Sequence, residues 1–205
     1  MDIDKRKKCL GSRKAESTKS LVFLTEALQF SDQQLKDKWC EQLLYKLHII
    51  HNVFENAQCN ICLENLKVDK KSDNLVLVNV SQHATCDTEL IEDASFKAPE
   101  LVNCRKRSKA GDIWAAGICI YFINNLSFPW NTATKNDNNF CLWSNNGVFP
   151  CNLNNIFLKT SMEMLCVDPK KRPSIETAIK EVNDKEVDEN VLSKLKEYCI
   201  FYTFN

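Results

Sequence analysis

The chain has 205 residues, of which 44% are hydrophobic, and its 27 basic residues balance 27 acidic ones. This length suits one ordinary domain, and the zero net charge gives no reason to expect a nucleic acid or a membrane surface as a partner. No apolar run reaches membrane-spanning length, and the N-terminus is too polar for a secretion signal. We therefore predict a cytoplasmic protein, with the nucleus as the alternative.

Eleven cysteines are spread through apolar stretches without the spacing of a disulfide framework. In a chain without a secretion signal, this pattern predicts reduced thiols in the core. Cys59 and Cys62 form a lone C-x-x-C pair, and zinc would require two further ligands at matching spacing. We therefore predict no metal site.

The first half of the chain opens with a basic stretch, and residues 1–20 are predicted to be a flexible lead-in. Residues 20–28 are predicted to form a short apolar strand followed by a turn. Ser31 and Gln34 have the spacing of a capping box. After them, apolar side chains recur three or four residues apart, which predicts one face of a long helix or of a helix pair. These positions are Leu35, Trp39, Leu43, Leu47, Ile50 and Phe54.

His48 and His51 lie on this helix, and the sequence shows no evident carboxylate or cysteine partner for either. We interpret both as partly buried or surface histidines. Farther along, two β-rich pieces at residues 66–68 and 75–80 flank a polar turn at residues 69–74, a pattern that predicts a hairpin.

The second half of the chain is predicted to be helical. A helix is expected over residues 112–125, with Asp112 as its N-cap. A polar, Asn-rich loop at residues 131–147 precedes a helix around residues 154–165. Another helix begins near Ser174, with Glu176 in its first turn, and a last one is expected around residues 190–198.

Three short motifs follow one another in this half of the chain. They are Ala98-Pro99-Glu100, Asp112-Ile113-Trp114-Ala115-Ala116-Gly117 and Asp168-Pro169-Lys170-Lys171-Arg172-Pro173. In order and spacing they resemble the C-terminal lobe (C-lobe) of a Ser/Thr protein kinase. There, A-P-E closes the activation segment, D-x-W-x-x-G opens a buried helix, and D-P-x-x-R-P lies near the end of the lobe.

The resemblance implies a mainly α fold, a kinase-like C-lobe helical bundle with a small β-hairpin region and no N-terminal lobe (N-lobe). It divides the chain into a lead-in (1–20), the lobe (21–183) and a C-terminal helical extension (184–205). It also pairs Glu100 with Arg172, since a charge buried without its partner is costly. It makes Asp112 a brace for the catalytic-loop backbone, and it gives Trp114 a structural role.

The residues that carry kinase chemistry are expected to be missing. No two of the four glycines lie within five residues, so no Gly-rich loop forms, and the first 20 residues cannot build an N-lobe. Asn65 matches the catalytic-loop Asn, which puts Asn60 at the catalytic Asp, and the metal-binding Asp falls on Asn79. Neither amide replaces a carboxylate as base or as Mg²⁺ ligand. The Thr before A-P-E falls on Asp93, while Phe96 keeps the aromatic position.

These residues predict a catalytically inactive pseudokinase that binds a protein kinase or a kinase substrate and needs no cofactor. The alternative is a diverged or truncated Ser/Thr kinase that binds Mg·ATP and phosphorylates proteins, and a third hypothesis is a gene product without a selected role. Without an N-lobe, we expect an apolar upper face with little cover, over which either residues 1–20 and 190–205 fold or a partner binds. Its residues are Leu21, Val22, Phe23, Leu24, Leu66, Val68, Leu75 and Val76.

Overall fold

The computed structural model describes residues 20–53, 61–78, 93–102 and 108–183. Residues 1–19 of the predicted lead-in, Phe54 and the predicted helix at residues 190–198 lie outside these ranges. The described part is mainly helical. Its helices are α1 (Leu24–Ala27), α2 (Gln33–Val53), α3 (Lys109–Asn125), α4 (Asn138–Asn146), α5 (Ile156–Met164) and α6 (Ile175–Asn183). Short 3-10 turns lie at Leu28–Phe30, Leu63–Asn65, Ala94–Phe96 and Pro99–Leu101.

One small antiparallel sheet accompanies the helices. Its strands are β1 (Leu21–Phe23), β2 (Leu66–Asp69) and β3 (Asn74–Leu77), in that order across the sheet. Val68 faces Val22 on one side and Leu75 on the other. The predicted hairpin is therefore confirmed, although its second strand ends at Leu77. The predicted first strand is shorter than expected, since the chain turns into α1 directly after Phe23.

The expectation of a poorly covered upper face was wrong for most of its residues. Leu24, Leu66, Val68, Leu75 and Val76 are each at most 5% exposed. Helix α2 supports this sheet directly, because the indole N–H of Trp39 donates to the carbonyl of Asp73 and Gln42 accepts from the backbone N–H of Leu75. Phe23 remains exposed.

Helix α2 is a single helix of 21 residues, and Trp39, Leu43, Leu47 and Ile50 on its predicted apolar face are buried. Its start lies one residue later than predicted. Asp32 Oδ1 accepts from the N–H of Leu35 at 2.9 Å, whereas Ser31 Oγ donates to the carbonyl of Leu28. Asp32 therefore caps the helix, and the capping box at Ser31 and Gln34 was wrong.

Helix α3 is the centre of the fold, with twelve buried residues around its circumference. Ser108 is its N-cap and accepts from the N–H of Gly111 at 3.0 Å, so the prediction that Asp112 caps this helix was wrong. At Gly117 a side chain would be tight, because an added Cβ would lie 3.1 Å from carbon atoms of Met164 and Leu165. Ser161 Oγ donates to the Gly117 carbonyl at 2.9 Å, and so α3 and α5 pack closely.

Helix α4 lies inside the segment that was predicted to be a loop at residues 131–147, so that prediction was wrong. Asp137 begins the helix by accepting from the N–H of Phe140, and its other carboxylate oxygen accepts from the N–H of Asn131. Gly147 ends the helix with φ +68°, a left-handed conformation that glycine adopts without strain. The polar composition of this segment led to the loop prediction, although Asp137 and Gly147 are typical residues for the two ends of a helix.

Helices α5 and α6 confirm the last predicted elements within the described ranges. Asn155 caps α5 by accepting from the N–H of Leu158, and Ser174 caps α6 by accepting from the N–H of Thr177. None of the helices described here combines the length and apolar character needed to cross a membrane. Six described cysteines are free thiols, and burial raises the pKa of Cys40, Cys62 and Cys119.

Candidate functional site

The stretch that the resemblance assigns to catalysis lies just before the hairpin. Asn65 ends the turn Leu63–Asn65 and is buried. Its carbonyl accepts from the N–H of Val78 at 2.9 Å, which holds the turn against the end of β3. Asn60 and Asn79 lie outside the described residues, so their placement around Asn65 stays a prediction.

Few of the described side chains could bind the metal ion of a metal-bound nucleotide. The motifs H-R-D and D-F-G occur nowhere in the sequence. In the described ranges, no group of three or more His, Cys, Asp or Glu side chains could hold a metal ion. Of the three sequence-predicted positions, Asn65 alone is described, and it offers a neutral amide, which is a weak ligand for a hard cation.

The segment that precedes A-P-E is held by its own side chains. Asp93 Oδ1 accepts from the N–H of Ser95 at 2.9 Å, and Ser95 Oγ donates to the carbonyl of Asn131. Phe96 is buried edge-on against Phe128, with ring centroids 5.4 Å apart. The residue in the position of the family's Thr therefore serves as the cap of a turn.

The predicted contact between Glu100 and Arg172 is present in the structure. Arg172 Nη1 donates to Oε1 of Glu100 at 2.7 Å, and Nη2 donates to Oε2 at 2.8 Å. The other three guanidinium N–H groups donate to the carbonyls of Cys166, Ala110 and Val167. All five donors of a side chain that is 1% exposed are thus satisfied, as a buried charge requires.

Trp114 completes this site from the other side. The Arg172 guanidinium lies over its ring, 4.9 Å from the centroid, where the ring's negative face attracts a cation. The ring also packs against Trp130 at 5.5 Å and Phe140 at 6.3 Å. The three motifs therefore meet through one ion pair and one aromatic cluster, which joins residues 98–100 to α3 and α4.

Two histidine contacts escaped the sequence analysis, which found no carboxylate partner for either residue. His51 Nε2 lies 3.0 Å from Oδ2 of Asp112, and both side chains are buried. His48 Nδ1 lies 3.0 Å from Oε1 of Glu176, at the start of α6. Asp112 is not the N-cap of α3; its contact with His51 links the end of α2 to α3. No local pattern could have revealed partners 61 and 128 residues away, although a His pair at the end of a helix is a weak signal.

The pKa of Glu176 reflects this arrangement. Burial alone would raise it, but hydrogen bonds from its own N–H and from Ser174, together with His48, lower it below its ordinary value. A cavity of about 310 Å³ opens beside these contacts, between the end of α2, the start of α3 and the start of α6. Its walls include His51, Lys109 and Pro173. The Lys109 ammonium donates to the His51 carbonyl at 2.7 Å, so this wall of the cavity is formed by a contact that links α2 to α3.

Comparison with known proteins agrees with the geometry. The family model described as the protein kinase domain matches residues 14–182, which is most of the chain. The serine/threonine-protein kinase Nek4 of Mus musculus is 25% identical over 95 residues, which cover 46% of this chain and 12% of that protein. The matched stretch is thus a small part of that relative. With its three lobe motifs in contact and a match over most of its length, the chain belongs to the protein kinase domain family.

Proposed function

We propose that this protein is a catalytically inactive, kinase-like module that binds a protein kinase or a kinase substrate and so regulates or mimics a kinase. The proposal rests on a contrast between the residues that stabilise the fold, which are present, and the residues that phosphoryl transfer requires. Arg172 and Glu100 keep a fully satisfied ion pair. The resemblance, however, puts Asn60 and Asn79 at the positions where phosphoryl transfer requires carboxylates.

The loss of several groups together makes residual catalysis small. Removal of one acid–base or electrostatic group typically lowers a rate by about 10²–10⁴-fold. The catalytic Asp and the metal-binding Asp are both replaced by amides, and the 205 residues contain no Gly-rich loop to cover the phosphates. Effects of groups that act as a unit are not additive, but each replacement alone is large. The residues present do not fit Mg·ATP, and we propose no cofactor.

The segment before A-P-E supports a role in binding. It is ordered by contacts of Asp93, Ser95 and Phe96 within the chain. A surface that is already ordered loses little conformational entropy when a partner binds. This segment, with its half-buried Lys97, is therefore a suitable contact for a kinase or its substrate.

The second candidate is a diverged Ser/Thr kinase, or a truncated one, that binds Mg·ATP and phosphorylates proteins. The family match and the likeness to part of Nek4 favour it, as does Asn65 in the position of the catalytic-loop Asn.

Nucleotide binding separates the two candidates. The purified chain is melted with and without Mg·ATP and then incubated with radiolabelled ATP and a general protein substrate, beside an active Ser/Thr kinase domain. We expect no rise in Tm and no label above the blank. The double variant Asn60→Asp with Asn79→Asp should behave in the same way, because the other phosphate contacts are still missing. A clear stabilisation by Mg·ATP, or label transferred by the chain alone, would favour the enzyme.

Partner binding is tested separately by affinity capture followed by identification of the bound proteins. The proposal expects a protein kinase or a kinase substrate to be retained by the wild-type chain. Lys97→Glu should weaken this retention, whereas Lys71→Glu in the hairpin turn makes the same charge reversal elsewhere and should not. Recovery of neither class of protein would contradict the binding role.

A further inference from the structure

One segment of the protein contains no charged side chain. Residues 138–158 include no Asp, Glu, Lys or Arg, although 26% of the whole chain is charged. At that proportion, 26% of 21 residues is about five charged side chains. About half of these residues are exposed. We call residues 138–158, together with Leu126, the neutral face.

The neutral face is also where apolar side chains meet water. It contains four of the seven large hydrophobic side chains that are exposed on the described residues. They are Leu126 at 54%, Leu142 at 48%, Val148 at 53% and Ile156 at 41%. Exposed apolar side chains in a segment without charged residues are typical of the central part of a protein–protein interface, where charged residues are depleted.

Hydrogen bonds join these positions into one fixed surface. The N–H of Val148 donates to the carbonyl of Leu142 at 3.2 Å, which folds the chain back on α4. The hydroxyl of Tyr121 then holds the Pro150 carbonyl at 3.0 Å. Farther on, Asn155 Nδ2 donates to Asn124 Oδ1 at 2.9 Å, two residues before Leu126. The loop between α4 and α5 therefore lies along the C-terminal half of α3.

The ring of Phe149 fixes this loop from beneath. It packs against Tyr121 with centroids 5.6 Å apart and against Trp143 at 5.2 Å, both nearly edge-on. The exposed side chains of the neutral face are thus presented by a well-packed support, and a partner would meet one surface shape.

We infer that the neutral face is the contact surface of a symmetric dimer of this chain. A partner with charged groups would lose their hydration here and gain no opposite charge in return. The neutral face placed against its own copy brings together uncharged groups, mainly apolar side chains and amides. Its exposed polar residues are mostly asparagines, and each amide carries both donors and an acceptor. An amide surface therefore complements itself across a two-fold axis, which a surface of one charge cannot do.

The charge of the whole chain agrees with this occupant. With 27 basic and 27 acidic residues, two copies approach each other without net repulsion. A net charge near zero is known to favour association between copies. This inference is independent of whether the protein binds or phosphorylates a kinase substrate.

Sedimentation velocity of the purified full chain tests the dimer. The buffer contains a reducing agent, so that disulfides among the eleven cysteines do not produce covalent dimers. At about 100 µM, a dimer with a Kd of about 10 µM would hold most of the protein. We expect twice the 23.6 kDa mass of the chain, falling to that mass on dilution.

Charged substitutions locate the contact. Ile156→Glu and Val148→Glu should each weaken dimerisation more than tenfold, since both copies then bring the same charge. An acidic residue in the first turn of α5 also suits the helix, so Ile156→Glu should fold normally. Val167→Glu is the matched control, because Val167 is an exposed aliphatic residue beyond the opposite end of α5. Mixing Val148→Glu with Val148→Lys should restore a heterodimer.

Circular dichroism and a thermal melt of each variant show that it is folded. The inference is supported if the wild-type chain and Val167→Glu are dimers while the two neutral-face variants are monomers. A wild-type chain that stays monomeric at about 100 µM overturns it. A dimer that persists in both Ile156→Glu and Val148→Glu, or one that Val167→Glu disrupts equally, places the contact elsewhere and overturns it as well.

Discussion

The ion pair of Glu100 and Arg172 allows a prediction about which partner matters more for stability. Replacement of Arg172 with Met retains much of the side-chain volume but removes five hydrogen bonds. The carbonyls of Cys166, Ala110 and Val167 then lose a buried donor, at about 1 kcal/mol each. Loss of the cation over Trp114 adds about 1 kcal/mol. We expect Arg172→Met to lower the free energy of unfolding by about 4 kcal/mol, within the range for a broken buried pair.

Glu100→Gln should be milder. The Glu100 side chain is 28% exposed, so water can reach the two guanidinium N–H groups that it leaves. The three carbonyls and the Trp114 ring continue to stabilise the cation. The amide of Gln also keeps one acceptor oxygen. We therefore expect a loss of about 2 kcal/mol, half that of the Arg172 variant.

Urea unfolding at pH 7 measures both variants, and an unchanged m-value shows that the extent of unfolding is the same. Lys170→Met, at an exposed position of the same segment, is the control and should change the free energy of unfolding by less than about 0.5 kcal/mol. The reasoning fails if Glu100→Gln destabilises as much as Arg172→Met does. It also fails if both variants lose less than about 1 kcal/mol.

Four further variants follow, the first three measured by urea unfolding and the last by thermal melts at pH 7 and at low pH. Gly147→Ala should cost about 1 kcal/mol from backbone strain alone, because φ is +68° and an added Cβ meets no atom within 4 Å; Leu126→Gly, at φ 56°, should gain up to about 1 kcal/mol. Asp112→Asn should lose about 2 kcal/mol, since it weakens a buried contact with His51. Burial and the Glu163 carboxylate raise the pKa of Glu181, so the native state is penalised as pH rises through that pKa; Glu181→Gln should raise Tm at pH 7, and the gain should disappear at low pH.

The long-range contacts of this fold were predictable only where a motif carried them. Glu100 and Arg172 lie 72 residues apart, and nothing in their neighbouring residues indicates that they meet. The A-P-E and D-P-x-x-R-P motifs did so through resemblance. The partners of His48 and His51 lie 128 and 61 residues away, but no motif linked them, and the sequence analysis left both histidines without a carboxylate.

Helix termini were predictable within a few residues, and the errors have one cause. Ser31 and Asp32 are both good N-caps, as are Ser108 and Asp112, and the sequence alone does not decide which oxygen reaches a free N–H group. Helix α4 was missed because its asparagines favour turns unless tertiary packing overrides them. Here Phe140 supplies that packing, since its ring meets Trp114 and Trp130 in the core.

The anchors on either side of the catalytic-loop stretch have a consequence for how such a protein changes over time. On one side His51 contacts Asp112, and on the other the Asn65 carbonyl accepts from the N–H of Val78. Both contacts use atoms that take no part in phosphoryl transfer. Substitutions between them leave both contacts intact, but those at the buried Ile61, Cys62 and Leu63 would disturb the core. The two contacts therefore make the support of this stretch separable from the identity of the polar side chains that it carries.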